Sequence, residues 1–311
     1  MEIKSYEDDE LEELYQLWRN VARERPNALD MNIQEFENAN LKSELGEVHC
    51  FMAYEENELI GASILLMRPG DANSSLDFLV LEEDLRNETS KELLERSLEF
   101  CRDEVGSKVQ LSPNIYSDGF VDFMKEQGFE KDEDYPSGLW MKKDLENLSG
   151  QKPPKGIDIF AVEDLGGRVS ARDLAEVQLD YAYEDSFDLE DIIDKFEKFD
   201  REQDDILYGI AKLEGSDEVV GFSRTMFKDL LRGDSIAQNV GLVVKEEHRE
   251  KGIGGTLLVD SFQRAKKKEY EKMYISTHSK NPAQRLYKRV GFEVEREHPN
   301  LSYSIKQNEA R

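Results

Sequence analysis

The sequence is short of several things, and each shortage removes a class of protein. Only Cys50 and Cys101 supply thiols, both in the first half and neither at a metal-ligand spacing. That excludes a disulfide-stapled scaffold and a cysteine zinc site. Two buried thiols in a reducing, cytoplasmic setting are the expectation, a single disulfide being the other arrangement left open, and no metal is expected. The longest apolar stretch, Leu59 to Met67, falls far below the ~20 residues of a membrane helix. The opening MEIKSYEDDE has no apolar core and no basic flank, so no secretory signal is expected.

Positive charge is also scarce. Lysine and arginine number 41 against 68 aspartate and glutamate, a net charge of −27. Nucleic acid and anionic lipid are recognised by cations that neutralise phosphates, so neither is an expected partner. A solvated acidic surface, adaptation to high salt and a preference for cationic substrates are the three readings the charge allows. Hydrophobic residues at 38% rule out wholesale disorder, and the length suffices for two domains, each with its own core.

Two domains are what the internal pattern indicates. Arg86 and Arg249 stand 163 positions apart, each ahead of an amphipathic stretch. Gly128-Phe129-Glu130 and Gly291-Phe292-Glu293 repeat at the same offset, and Ile60-Gly61 and Val220-Gly221 at 160. So long a period marks a duplicated domain, since solenoid repeats run about 20–50 residues. The punctuation Ser149-Gly150-Gln151-Lys152-Pro153-Pro154-Lys155-Gly156 reads as a linker. In the second half the patterns predict strands over 157–161, 206–213, 218–226, 235–245 and 272–277. They predict helices over 170–182, 189–199, 252–266 and 282–290, with a strand at 301–305 closing that domain. The class is α+β around a central sheet.

The most informative segment runs from Val243 to Leu258, where a strand enters a turn and a helix opens at Gly252, Gly254 and Gly255. A helix N-terminus leaves backbone N–H groups unpaired and carries partial positive charge, which suits a pyrophosphate. Glycines let phosphate oxygens approach the backbone. The third glycine of a dinucleotide fingerprint and the lysine of a P-loop are both missing.

Arg249-x-x-Gly252-x-Gly254 after a strand, followed by Ala283-x-x-Leu286-Tyr287-x-x-x-Gly291-Phe292, resembles the motif pair of the GNAT superfamily of acetyl-CoA-dependent N-acetyltransferases. The resemblance is strong over Ser235 to Glu293 and looser back to Gly156. It implies two tandem α+β domains, each a mixed, mostly antiparallel sheet flanked by helices: a degenerate copy at 1–147, a linker at 148–155 and a catalytic copy at 156–311. It further implies that Arg249 and the backbone of Glu250, Lys251, Gly252, Ile253, Gly254 and Gly255 bind the coenzyme A pyrophosphate. Leu242, Val243 and Val244 would bond the pantetheine arm through their main chain, as a ligand added to a strand edge. Tyr287 occupies the position of the general acid that protonates the departing thiolate. Asn281 stands six residues before it rather than the family's seven, as a coenzyme contact or as a helix cap.

The implied reaction moves acetyl from acetyl-CoA to a primary amine of a small molecule or protein by direct attack. A non-catalytic acetyl-CoA-binding sensor is the alternative. No carboxylate lies on Ile236 to Val244 to serve as base; Gln238 and Asn239 bind without deprotonating, and His278 reads as a polar loop residue. Glu184 to Asp205 carries eleven acids against Lys195, Lys198 and Arg201, either a solvated helix or a cation-attracting rim. The first copy has Asn87 to Glu92 without glycine where the turn should be, and Met124 where Tyr287 stands. Its role would be structural, or part of the acceptor pocket.

The charge balance generates a prediction. Raising sodium chloride from 0.1 to 1 M shortens the screening length to about 3 Å, so the melting temperature should rise in differential scanning fluorimetry. A flat or falling curve would show acids already spaced harmlessly and would retire the high-salt reading.

Overall fold

The computed structural model describes residues 2–25, 27–42, 46–67, 73–104, 108–112, 116–146, 148, 150–179, 188–202 and 205–305. The chain divides into two compact units. One joins Met1–Gly138 to Leu230–Gly233 and His298–Arg311; the other joins Leu139–Asp229 to Asp234–Glu297.

In chain order the first copy runs β1 (Glu2–Ser5), α1 (Leu11–Ala22), α2 (Ile33–Asn40), β2 (Glu47–Glu55), β3 (Glu58–Met67), β4 (Asn73–Val80), α3 (Glu88–Glu104), β5 (Lys108–Leu111), α4 (Asp118–Glu126), β6 (Glu130–Lys131) and β7 (Gly138–Asp144). The second repeats this order: β8 (Ile157–Val162), α5 (Ala171–Leu179), α6 (Leu189–Glu202), β9 (Ile206–Leu213), β10 (Val219–Asp229), β11 (Ser235–Val244), α7 (Ile253–Lys267), β12 (Lys272–His278), α8 (Gln284–Arg289), β13 (Glu293–His298) and β14 (Leu301–Ser304). Two mixed seven-stranded sheets result, and the α+β tandem architecture is that expected from the sequence.

Their strand orders are β1-β2-β3-β4-β5-β14-β6 and β8-β9-β10-β11-β12-β7-β13. The last strand of each copy thus lies in the other copy's sheet. This corrects the expectation that the strand near 301–305 closes the second domain, and it moves the structural division away from a single cut at 148–155. β14 pairs with β5 through Ser302↔Gln110 and with β6 through Leu301↔Lys131, and Leu301 and Ile305 join the core of Leu85, Val109 and Phe129. In the second unit, Leu139 and Met141 of β7 pack with Leu258 and Phe262 of α7, and Trp140 stacks on Tyr274 with ring centroids 4.9 Å apart. Local patterning finds strands but cannot name their partners.

The helices follow their apolar spacing. α6 turns Ile192, Ile193 and Phe196 into a core with Tyr208, Ile210 and Phe222 of the sheet, while Asp191, Asp194 and Glu197 remain exposed. α7 covers the opposite face with Leu257, Leu258 and Phe262 buried. The duplication extends to a detail of the cores. Ser63 and Ser97 hydroxyls meet at 2.6 Å between β3 and α3, and Ser223 and Ser261 meet at 3.0 Å between β10 and α7. In each pair the helical serine also donates back to a carbonyl, Leu93 or Leu257, which satisfies a buried hydroxyl. Gly209 is required beside the second pair, because a Cβ there would stand 2.5 Å from Ser223 Oγ.

Cys50 and Cys101 are both buried and unpaired. Burial pushes their thiols up to about 12 and about 11, so neither is a thiolate at neutral pH. Among the described residues no helix is long and apolar enough to cross a membrane.

The exchange of closing strands is testable by hydrogen exchange. Leu301→Ala should cost about 2–5 kcal/mol as a fully buried truncation. It should strip amide protection from β5 and β6 although position 301 follows the whole second copy. Protection lost only from β11 and β12 would contradict this topology.

Candidate active site

The second sheet opens at one point. β10 and β11 pair from Asp229↔Ser235 to Gly221↔Val244, with a register shift between Arg224↔Gly241 and Thr225↔Asn239. Val240 is therefore the extra residue of a β-bulge, which bends its strand. On its other side β11 pairs in parallel with β12 only through Ala237↔Met273, Gln238↔Tyr274 and Asn239↔Ile275. From the bulge onward, β11 keeps its β10 ladder and offers Val240 to Val244 along an edge that β12 does not pair among the described residues. Leu242, Val243 and Val244 lie on that segment, and an edge with unpaired N–H and C=O groups is a template for an added extended ligand.

The strand then enters the glycine turn. Lys245 N–H donates to Val220 O at 2.9 Å, and Arg249 Nε donates to Val244 O at 2.9 Å, which ties the turn to the strand end. Glu250 and Gly252 both take left-handed backbone, φ 61° and 88°. Gly252 is the N-cap of α7, and no side chain caps this helix. The first internal amide bond is donated by Thr256 to Gly252 O at 3.1 Å. Ile253, Gly254 and Gly255 thus present the open N–H groups of a helix start. A Cβ on Gly254 would meet Leu286 Cδ2 at 3.1 Å, so the leucine would have to give way by a few tenths of an ångström. The 148–155 segment is not a free tether: a Cβ on Gly255 would find Gln151 Oε1 at 3.4 Å. Gln151 is a polar group beside the turn that sequence reasoning passed over.

α8 brings up the third component. Tyr287 is 8% exposed and packs with Phe292, Leu258 and Leu242. Asn281 is engaged in the turn ahead of α8, with Oδ1 accepting from Ala283 N–H at 2.8 Å and Nδ2 donating to Thr277 Oγ1 at 2.9 Å. The helix begins at Gln284 rather than Pro282, with Ala283 as its N-cap. His278 ends β12 and is exposed, and Gln238 is half-buried. Glu184 and Asp185 lie outside the described residues. Glu218, Glu247 and His248 place ligand atoms within 4.8 Å of one another, but Lys245 Nζ already stands 2.9 Å from Glu218 Oε1 and answers the charge.

The first unit has the same parting and fills it. β4 pairs with β5 only from Asn73↔Lys108 to Leu76↔Leu111, and its ladder with β3 carries no shift. Just past the parting, Asp77 takes a bidentate contact from buried Arg25, at 2.8 and 3.3 Å. Arg25 also donates to Phe78 O at 3.4 Å and lies over the Tyr116 ring. The cavity between these residues, Ser117 and Phe120 is about 20 Å³, room for about one water. At the start of α3, Asn87 Oδ1 accepts the Ser90 N–H at 2.7 Å, consuming a donor that α7 leaves open. Met124 is fully buried where the second copy has Tyr287.

Two copies of a bulged or parted sheet, each with a helix starting at the parting, define the class as a tandem acyltransferase fold. The family model for an acetyltransferase (GNAT) domain matches residues 204–294, so the second unit carries a GNAT acetyltransferase domain. The whole chain has the fold of a tandem GNAT protein from the clavulanic acid biosynthesis pathway, at 15% identity, with 99% of each chain covered and a TM-score of 0.78. A GCN5-related N-acetyltransferase from Sphaerobacter thermophilus is similar at 17% identity over 98% of this chain and 96% of that one, TM-score 0.67. A GNAT-family acetyltransferase from Colwellia psychrerythraea aligns at 14% identity over 98% and 100%, TM-score 0.63. No curated protein sequence matches the chain.

The turn geometry predicts opposite effects at two neighbouring positions. Gly252→Ala puts a Cβ on a left-handed residue and should cost about 1 kcal/mol, whereas Glu250→Gly removes that strain and should hold or raise stability. Urea denaturation of both variants distinguishes them, and equal effects would show that the turn does not hold these backbone angles.

Proposed function

We propose that the second unit transfers the acetyl group of acetyl-CoA to a primary amine by direct attack. The observation that supports this most is the unpaired length of β11 leading into an uncapped, glycine-bordered helix N-terminus. An extended chain ending in a pyrophosphate matches that pair of features: main-chain bonds along Leu242 to Val244, then open amides at Glu250 to Gly255. Acetyl-CoA supplies an activated thioester. The acceptor ammonium gives one proton to bulk water, and its nitrogen then attacks the thioester carbonyl carbon; the C–N bond forms and the C–S bond breaks. Tyr287 gives its hydroxyl proton to the departing sulfur and recovers one from the new amide nitrogen, so protons balance. Arg249 holds the turn against the strand end and so fixes the phosphate amides relative to the acyl site.

Calorimetry should give one coenzyme site per chain, lost in Gly254→Glu and kept in Lys91→Glu of the first copy. Two equivalent sites would overturn the assignment of the first unit as non-binding. A free-thiol release assay with acetyl-CoA over a panel of amines tests turnover, and Tyr287→Phe should lower kcat about 10- to 1,000-fold with coenzyme affinity little changed. Coenzyme binding with no thiol release for any amine would favour the sensor instead.

A further inference from the structure

Arg224 sits at the bulge, cross-strand from Gly241 on β11 and from Tyr208 on β9. It therefore lies one strand away from the point where β11 leaves β12. Its guanidinium is sandwiched under the inner face of α6, 4.1 Å from the Phe199 ring centroid and 5.5 Å from that of Phe196. It also lies over Gly241, whose missing side chain leaves that surface bare; a Cβ there would be 3.7 Å from Nε and 3.8 Å from Nη2. In a chain of net charge −27 this cation has no carboxylate partner among the described residues. Its Nε is buried without a hydrogen bond. Desolvation pulls the guanidinium pKa down, and only the Tyr208 phenol opposes it. The first unit's buried arginine shows the contrast, since Arg25 is answered by Asp77.

Arg224 is half-buried; a partly desolvated charge gains from a partner that completes it, and a planar guanidinium fork matches a carboxylate. Aromatic faces attract the cation without neutralising it. Lys195 and Lys198 of α6 are exposed, so a single positive charge is available, which suits a monoanion better than a phosphate dianion. We propose that Arg224 binds a carboxylate on the amine acceptor, so that the substrate class is amino acids or similar amino-carboxylates. The proposal rests on the acetyl-transfer reading for its enzymatic form, and its binding form can be tested separately.

The test uses the full chain with the standard L-amino acids, β-alanine and 4-aminobutyrate, each beside its carboxamide. In thiol release, kcat/KM for the accepted acid should exceed that of its amide by about 100-fold or more, the discrimination lost when a buried polar group goes unpaired. Arg224→Gln should raise KM for the acid about 10- to 1,000-fold and bring acid and amide together. KM for acetyl-CoA should move no more than about twofold, and Arg224→Lys should recover part of the preference. Removal of a merely structural cation–π contact would lower stability without changing the acid-to-amide ratio. If the variants fail to fold, the acid-to-amide ratio of the unaltered protein decides alone. In parallel, calorimetry on protein saturated with coenzyme A measures binding of the same pairs without turnover. Acids that bind with no thiol release would leave the anchor standing and remove the acetyl-transfer reading. Acids and amides that bind or react equally, or acids that do neither, would overturn the proposal.

Discussion

The parting of two parallel strands is the constraint on which the rest of the second unit depends. A strand edge inside a sheet is expensive, because each N–H and C=O removed from water wants a partner. Here β11 loses β12 after Asn239↔Ile275 and keeps only β10. The bulge at Val240 makes the divergence geometrically possible by adding one residue to a single strand. It also turns both Val240 and Gly241 to the side covered by α6, which is why a glycine and an arginine can face one another there. The glycine turn then converts the end of a strand into the start of a helix, with Arg249 bonded back to Val244 so that edge and amides move together. Cleft, turn and Tyr287 converge on Leu242, Gly254 and Leu286, which pack against one another.

The first unit shows what the same architecture becomes when that edge is answered internally. Its β4 and β5 also part, but the β3 ladder runs without a bulge, and the Arg25–Asp77 pair with Tyr116 occupies the opening. Asn87 caps the helix that the second unit leaves uncapped. Breaking either partner of so buried an ion pair would leave an unpaired charge, so this filling is a committed structure and not an incidental closure. The copies thus differ in how their polar groups are placed: answered within the chain in one, left open among the described residues in the other. Both still share the Ser63–Ser97 and Ser223–Ser261 contacts between sheet and helix, so the scaffold persisted while the openings diverged.

What could be read from the sequence was what is local. The glycine turn and the Tyr287 helix depend on short spacings and the duplication on one recurring offset, and periodicity located β8 to β12 to within a few residues while missing β7 and β13. The destination of β7 and β14 was not readable, because pairing in a sheet is a long-range choice that alternation does not encode. The bulge was hidden for the same reason: Gln238 to Val244 alternates no differently for having one residue unopposed. Arg224 stood in an apolar strand with no motif around it. That no described carboxylate pairs with it is visible only once the residues around it have been placed. Asn281, open between two roles in the sequence, engages Ala283 and Thr277 through its amide, which keeps a second lone pair and a second N–H for a ligand.

The acidic composition and the unanswered arginine act at different ranges, and together they describe an acceptor. Glu190, Asp191, Asp194 and Glu197 of α6 project outward, where exposed charges are screened over about 8 Å at physiological salt. They can bias which molecules approach, favouring an ammonium, but they hold nothing in register. Arg224 lies half-buried beneath the same helix on its apolar face, with its Nε unbonded, where its field is screened less than that of the exposed acids. An amino-carboxylate satisfies both terms: its ammonium is drawn to the acidic exterior and its carboxylate is fixed at the bulge. Fixing the carboxylate also fixes the amine at a set distance from the strand edge where the thioester would lie, and positioning of that kind is the larger part of catalysis between two bound partners.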